Sequence, residues 1–191
     1  MSKKRLPQTK KNIVFLGHMG SGKSTIGRGL SKKLSLDFYD TDREIEKDMG
    51  QKIARIFDES GESIFRNIER KITLKLLDKK NTIIALGGGG FEESKIRKLI
   101  LNKCISIWLK CDLNILEKRC RVSKKRPLLS NKNIKVEFER LNKIRQKNYS
   151  KAKFTIDVSK KNKYQIIKEI TEALKIYNEK NFRGKDRNRR I

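Results

Sequence analysis

Short apolar runs alternate with longer amphipathic stretches along the chain. The runs at 12–16, 36–39, 82–86, 104–109 and 154–158 are rich in Ile, Val or aromatic residues and are bounded by Gly, Asp or Lys, which marks them as β-strands. Between them the pattern turns helical at 23–34, in two short pieces over 43–58, and at 62–77, 92–101, 113–121, 134–149 and 163–178. Within 62–77, Phe65, Ile68, Ile72 and Leu76 recur at helical spacing and face a sheet, which puts Arg66 and Glu69 on a different face. Four of the five strands read as buried. Repeated β-α units of this kind predict an α/β fold: a five-stranded parallel sheet flanked by helices.

Composition narrows the picture. A chain of 191 residues with 36% hydrophobic content fits one domain, expected over 12–178. The ends, 1–11 and 179–191, are polar and strongly basic and are expected to be disordered. The only prolines are Pro7 and Pro127, and the basic, polar stretch 123–133 around the second reads as a mobile loop. The formal charge of +27 raises nucleic acid as a partner. Against it, the lysines are spread over every helix and aromatics amount to only 7%. Cys104, Cys111 and Cys120 form no paired spacing, and one histidine cannot complete a zinc site, so reduced thiols are expected. The N-terminus lacks an apolar stretch of signal-peptide length, and no run reaches the length of a membrane span. A soluble cytoplasmic protein is the expectation.

The strongest local signal is Gly17-His18-Met19-Gly20-Ser21-Gly22-Lys23-Ser24, which fits G-x-x-x-x-G-K-[ST] between an apolar strand and a helical pattern. Glycines let backbone N–H groups turn inward around phosphate oxygens, Lys23 adds a point charge at the transferring phosphate, and the Ser24 hydroxyl suits magnesium. The helix that starts near Lys23 adds its positive end. His18 reads as a loop-lining or nucleotide-shielding side chain. A GTPase would need Asn-Lys-x-Asp to read guanine, and neither 102–105 nor 131–134 supplies the aspartate.

A small kinase remains, and its acceptor must be read at the carboxyl ends of the strands. Asp40-Thr41-Asp42 follows the second strand, Gly87-Gly88-Gly89-Gly90 follows the third, and the helix at 62–77 carries Phe65-Arg66-Asn67-Ile68-Glu69. An arginine fork matches a carboxylate, an aspartate matches hydroxyls, and a glycine run admits a substrate to bare backbone. Those groups describe a polyhydroxylated carboxylic acid.

With Trp108-Leu109, Arg126-Pro127-Leu128-Leu129 and the Arg145 to Tyr149 spacing added, the stretch 12–158 closely resembles the shikimate kinases. The resemblance implies phosphorylation of the 3-hydroxyl of shikimate by ATP with Mg2+, in aromatic amino acid synthesis. It implies that Lys23, Asp42 and Arg126 are catalytic and that Gly20, Ser21, Gly22, Lys23, Ser24, Thr25 and Arg126 hold the nucleotide. Asp42 would bind the shikimate hydroxyls and take the proton of the attacking one. Arg66 and Arg145 would hold the carboxylate, beside Gly87, Gly88 and Gly89. Ser24 would ligate the metal, with Asp40 reaching it through water, and Arg126 would belong to a lid at 123–133. A monomer that binds shikimate and ATP, and no membrane, is implied. Two departures stand out: His18 replaces a larger apolar residue, and Gly90 extends the glycine run. The adenine contact is expected somewhere in 159–163 without a firm motif. The alternatives are a gluconate- or nucleotide-type kinase, or a degenerate kinase fold that binds nucleic acid. Arg66, Arg145 and Asp42 together argue against the first, and intact Lys23, Ser24 and Asp42 against the second.

Overall fold

The apolar runs become five strands and the amphipathic stretches seven helices among residues 11–121 and 134–187, the part of the chain described by this computed structural model. In chain order they are β1 (Ile13–Leu16), α1 (Lys23–Leu34), β2 (Asp37–Asp40), α2 (Thr41–Met49), α3 (Ile53–Leu77), β3 (Thr82–Ala85), α4 (Ser94–Lys103), β4 (Ile105–Lys110), α5 (Leu113–Arg121), α6 (Ile134–Tyr149), β5 (Phe154–Asp157) and α7 (Lys163–Arg187). All strand pairs are parallel, in the spatial order β2-β3-β1-β4-β5. Strands add on both sides of β1, so the crevice that open α/β sheets use for ligands lies at its carboxyl end.

Side chains alternate across the sheet and divide the core into two layers. Val14, Leu16, Ile84, Leu86 and Trp108 meet Phe65, Ile72, Ile96, Ile100 and Tyr149 on one face. Ile13, Phe15, Ile83, Ile105 and Ile107 meet Ile26, Leu30, Ile166 and Ile170 on the other. Burying each such side chain is worth about 1.5–3 kcal/mol, so a central β1 flanked on both faces is a rigid base for the loop that follows it.

The structure corrects four expectations. Three strands rather than four are buried: β1, β3 and β4 are covered, whereas β2 and β5 pair on one side only and carry exposed Asp37 and Asp157. The second helical unit starts at Thr41 instead of 43, because the Asp40 carboxylate accepts a hydrogen bond from the Asp42 N–H and caps α2 there. The third correction concerns Glu69, which is buried on the core stripe of α3 with Phe65, Ile72 and Leu76 rather than turned away from it. Finally, α7 runs on to Arg187 instead of ending at 178, since Lys, Arg and Glu are good helix formers and no proline interrupts them. The expected break between the short helices and 62–77 takes the form of a kink at Gly61 (φ 77°, ψ 173°) inside α3. The proposed loop at 123–133, with Arg126, lies outside the described residues.

Candidate active site

The chain leaves β1 through a turn in which Gly17, Gly20 and Gly22 take φ of 137°, 77° and 94°. A side chain at Gly17 would also place its Cβ 2.8 Å from the Leu109 carbonyl oxygen, so both conformation and space require glycine there. The Ser21 N–H donates to the His18 carbonyl (3.2 Å), and α1 then begins at Lys23. The Lys23 ammonium donates to the carbonyls of Gly17 (2.8 Å) and His18 (3.0 Å), so its charge spans the mouth of the turn. Ser24, one residue on, is hydrogen-bonded through Oγ to Asp40 Oδ2 at the end of β2.

From β2 the chain turns directly into α2. Thr41, wholly buried, accepts from the Gly87 N–H (2.7 Å) and donates to the Ala85 carbonyl (3.3 Å). That pair fixes the start of the glycine run against the Asp40-Asp42 corner. A Cβ built on Gly87 would lie 2.6 Å from Glu69 Oε1 and 2.8 Å from Asp42 Oδ1. On Gly88 it would lie 3.0 Å from Arg145 Nη1, and on Gly89 2.5 Å from Arg66 Nη1. Four charged side chains from α2, α3 and α6 therefore converge on three glycines, and any side chain on the run would displace them.

The arginines are held differently. Arg66 donates to buried Glu69 (2.7 Å) and to Glu62 (3.0 Å), and its guanidinium lies 5.2 Å from the centre of the Phe65 ring. Arg145 is buried on α6. With Glu69, Gly89 and Leu141 they line a cavity of about 380 Å³.

Asp42 is exposed by surface area, although protein atoms crowd it closely. That crowding, and then the Asp40 carboxylate, push its carboxyl up from 3.8 to about 6, against the pull of Lys23. It is thus a carboxylate at neutral pH with more appetite for a proton than an ordinary aspartate, as a general base requires. His18 points away from the phosphate loop into the protein, its ring edge-on to Tyr149 at 5.4 Å and Phe138 at 6.1 Å. Burial, and then Arg145, lower its pKa from 6.5 to about 4. Asn142 gives its amide N–H to Gln146, so its oxygen faces His18 Nε2 (3.3 Å), which makes Nε2 the protonated nitrogen. Of the two readings of His18, loop-lining or nucleotide-shielding, its contacts match the first: it packs the loop against α6.

The family model described as shikimate kinase matches residues 19–175. The chain belongs to the shikimate kinase family. It is similar to the shikimate kinase of Bartonella quintana, at 40% identity over 92% of this chain and 84% of the relative. The shikimate kinase of Persephonella marina is 42% identical over 84% of this chain and 96% of its own length. In fold it is similar to a shikimate kinase from Acinetobacter baumannii solved in complex with shikimate, with a TM-score of 0.84, 32% identity, and coverage of 87% of this chain and 94% of that one. The family's reaction is the ATP-dependent phosphorylation of shikimate.

Among the described residues, those expected at the site from the sequence fall into two groups at the carboxyl ends of the strands. Gly20, Ser21, Gly22, Lys23 and Ser24 form the phosphate loop, with Thr25 exposed on the first turn of α1. Asp40, Asp42, Arg66, Gly87, Gly88, Gly89 and Arg145 gather across the crevice from it. Three residues take part that were given no site role from the sequence, although Glu69 and Tyr149 stand in the motifs quoted for it. Glu69 anchors Arg66, and its signal was present as an acidic residue on an otherwise apolar stripe. Arg119 of α5 donates to the Gly20 carbonyl (3.2 Å), which puts a cation beside the phosphate loop. Tyr149 donates to the Gly88 carbonyl (2.6 Å). These last two contacts join residues far apart in the chain and leave no local pattern.

Proposed function

We propose that the chain transfers the terminal phosphoryl group of ATP to the 3-hydroxyl of shikimate, giving shikimate 3-phosphate and ADP. The observation that carries this reading is the convergence of Asp42, Arg66 and Arg145 on the bare backbone of Gly87 to Gly89, next to a phosphate loop. Two guanidinium groups suit a carboxylate, and a carboxylate of raised pKa suits a hydroxyl that must lose its proton. Gly20 to Thr25 would hold the ATP phosphates, with Lys23 leaving its carbonyl partners to meet the transferring group. Asp42 would bind the acceptor hydroxyls and take the proton as the 3-oxygen attacks in line. Arg66 and Arg145 would clamp the carboxylate and fix which hydroxyl faces the phosphate.

Magnesium fits the oxygen pair at the loop's edge. Ser24 Oγ and Asp40 Oδ2 are already in contact, and hard oxygen donors are the ligands this ion takes. Ser24 would hold it directly and Asp40 through water, and when bound it supplies neutralisation of charge on the phosphates. Arg126, outside the described residues, would close over them from the 123–133 segment and exclude water. Among the described residues no helix is long and apolar enough to cross a membrane. A cytoplasmic monomer is the form that membership of the family favours.

Asp42→Asn tests the assignment. A general base contributes about a hundredfold to ten-thousandfold, so turnover falls by that factor while ADP affinity stays within about threefold of the parent. Loss of ADP affinity on the same scale, or unchanged turnover, contradicts the role given to Asp42.

A further inference from the structure

Tyr149 lies one helical turn beyond Arg145 on α6, so the two side chains share a face. Its ring is wholly buried, with ring centres of Trp108 at 5.9 Å and Phe91 at 6.3 Å. A buried hydroxyl needs partners, and this one donates to the Gly88 carbonyl at 2.6 Å. The Arg145 guanidinium is a charged neighbour of the same phenol, while burial, the larger effect, raises its pKa to about 12.

We propose that Tyr149 is a positioning residue for the acceptor's carboxylate, acting through the Gly88 carbonyl on one side and Arg145 on the other. This inference rests on the shikimate reading above. No peptide in the described chain is cis, so the Gly88 C=O and the Gly89 N–H point in opposite directions across their shared plane. With the carbonyl held toward α6, the Gly89 N–H turns the other way, where Gly89, Arg66 and Arg145 line the cavity. The Gly90 N–H to Gly87 carbonyl bond (3.1 Å) closes a turn over this peptide, but glycine peptides rotate with little steric resistance, and the Tyr149 bond adds the hold on the Gly88 carbonyl itself. A second tether acts beside the first: Asn148, the preceding residue of α6, donates to Glu92 Oε2 at 2.7 Å and holds the far end of the glycine segment to the same helix. One hydroxyl thus sets the direction of a backbone donor beside the Arg145 guanidinium, whose Nη1 would lie 3.0 Å from a Cβ on Gly88.

Tyr149→Phe keeps the ring and removes the hydroxyl. A hydrogen bond between neutral groups is worth about a factor of five, so KM for shikimate rises about fivefold while KM for ATP stays within about twofold. The thermal midpoint changes by no more than a few degrees. The methyl ester of shikimate, which has lost the negative charge, shows a change of less than about threefold between parent and variant. A role in packing alone would move both substrates or the folding midpoint together. The inference is overturned by an unchanged KM for shikimate, by an equal change for the ester or for ATP, or by a variant that does not fold. A parent protein without shikimate-dependent ADP release would instead sink the underlying reading of the site.

Discussion

With Asp42 as the proposed base, acid removes activity by protonating that carboxyl. The carboxyl is raised from 3.8 to about 6 by burial first and by Asp40 second. Only its ionised form can accept the proton of the attacking hydroxyl. With a pKa near 6, about a tenth of the sites are ionised at pH 5, against more than about nine-tenths for an aspartate at its ordinary value. The quantity to follow is kcat/KM for shikimate at saturating Mg-ATP from pH 8 to pH 5. It falls about tenfold over that range, with an acid limb centred near pH 6. Asp40→Asn removes the neighbouring negative charge, which lowers the Asp42 pKa and moves the limb toward acid, whatever it does to the maximal rate. A profile flat to pH 5, or a limb that stays in place in Asp40→Asn, refutes the reasoning.

Two further predictions concern the residues around that cleft. His18 is buried neutral with its pKa lowered from 6.5 to about 4, so the unfolded chain binds a proton that the folded one refuses. Stability tied to His18 is therefore full above pH 6.5 and declines as pH falls toward 4, by about 3 kcal/mol in all. In His18→Phe the urea midpoint loses that part of its pH dependence between pH 7.5 and 4.5, and a dependence identical to the parent's contradicts the burial argument. Gly89→Ala puts a Cβ 2.5 Å from Arg66 Nη1, the movable end of a side chain, so the fold yields while the guanidinium is displaced. KM for shikimate rises about tenfold or more with a near-normal thermal midpoint, as kinetics and a melting curve would show. Equal kinetics in the variant would mean Arg66 does not face the acceptor.

Legibility in the sequence followed the range of the contacts. The phosphate loop was readable because its glycines, Lys23 and Ser24 are contiguous and sit between a strand and a helix, where the motif works. Asp40 and Asp42 were readable for the same reason, as polar residues at the end of a strand in an α/β pattern. Glu69 was misplaced because polarity was taken to outweigh position. Its side chain occupies the stripe of Phe65, Ile72 and Leu76, and its burial is made tolerable by Arg66 at 2.7 Å. Burial of β2 and β5 depended on strand order, which periodicity does not carry. Arg119 and Tyr149 join the site through single hydrogen bonds to backbone carbonyls 99 and 61 residues away, and a carbonyl has no sequence signature. His18 was read as loop-lining or nucleotide-shielding because it stands in the loop. The fold turns it inward, onto Tyr149 and Asn142 of α6.

The central claim is that the groups gathered on the glycine run choose shikimate as the acceptor. ADP release under Mg-ATP, measured with shikimate, gluconate, nucleoside monophosphates and no acceptor, tests it most directly. ADP release is expected to depend on shikimate, with a single phosphate ester on the 3-oxygen of the product. Equal ADP release without any acceptor, or a preference for gluconate or a nucleotide, would contradict it.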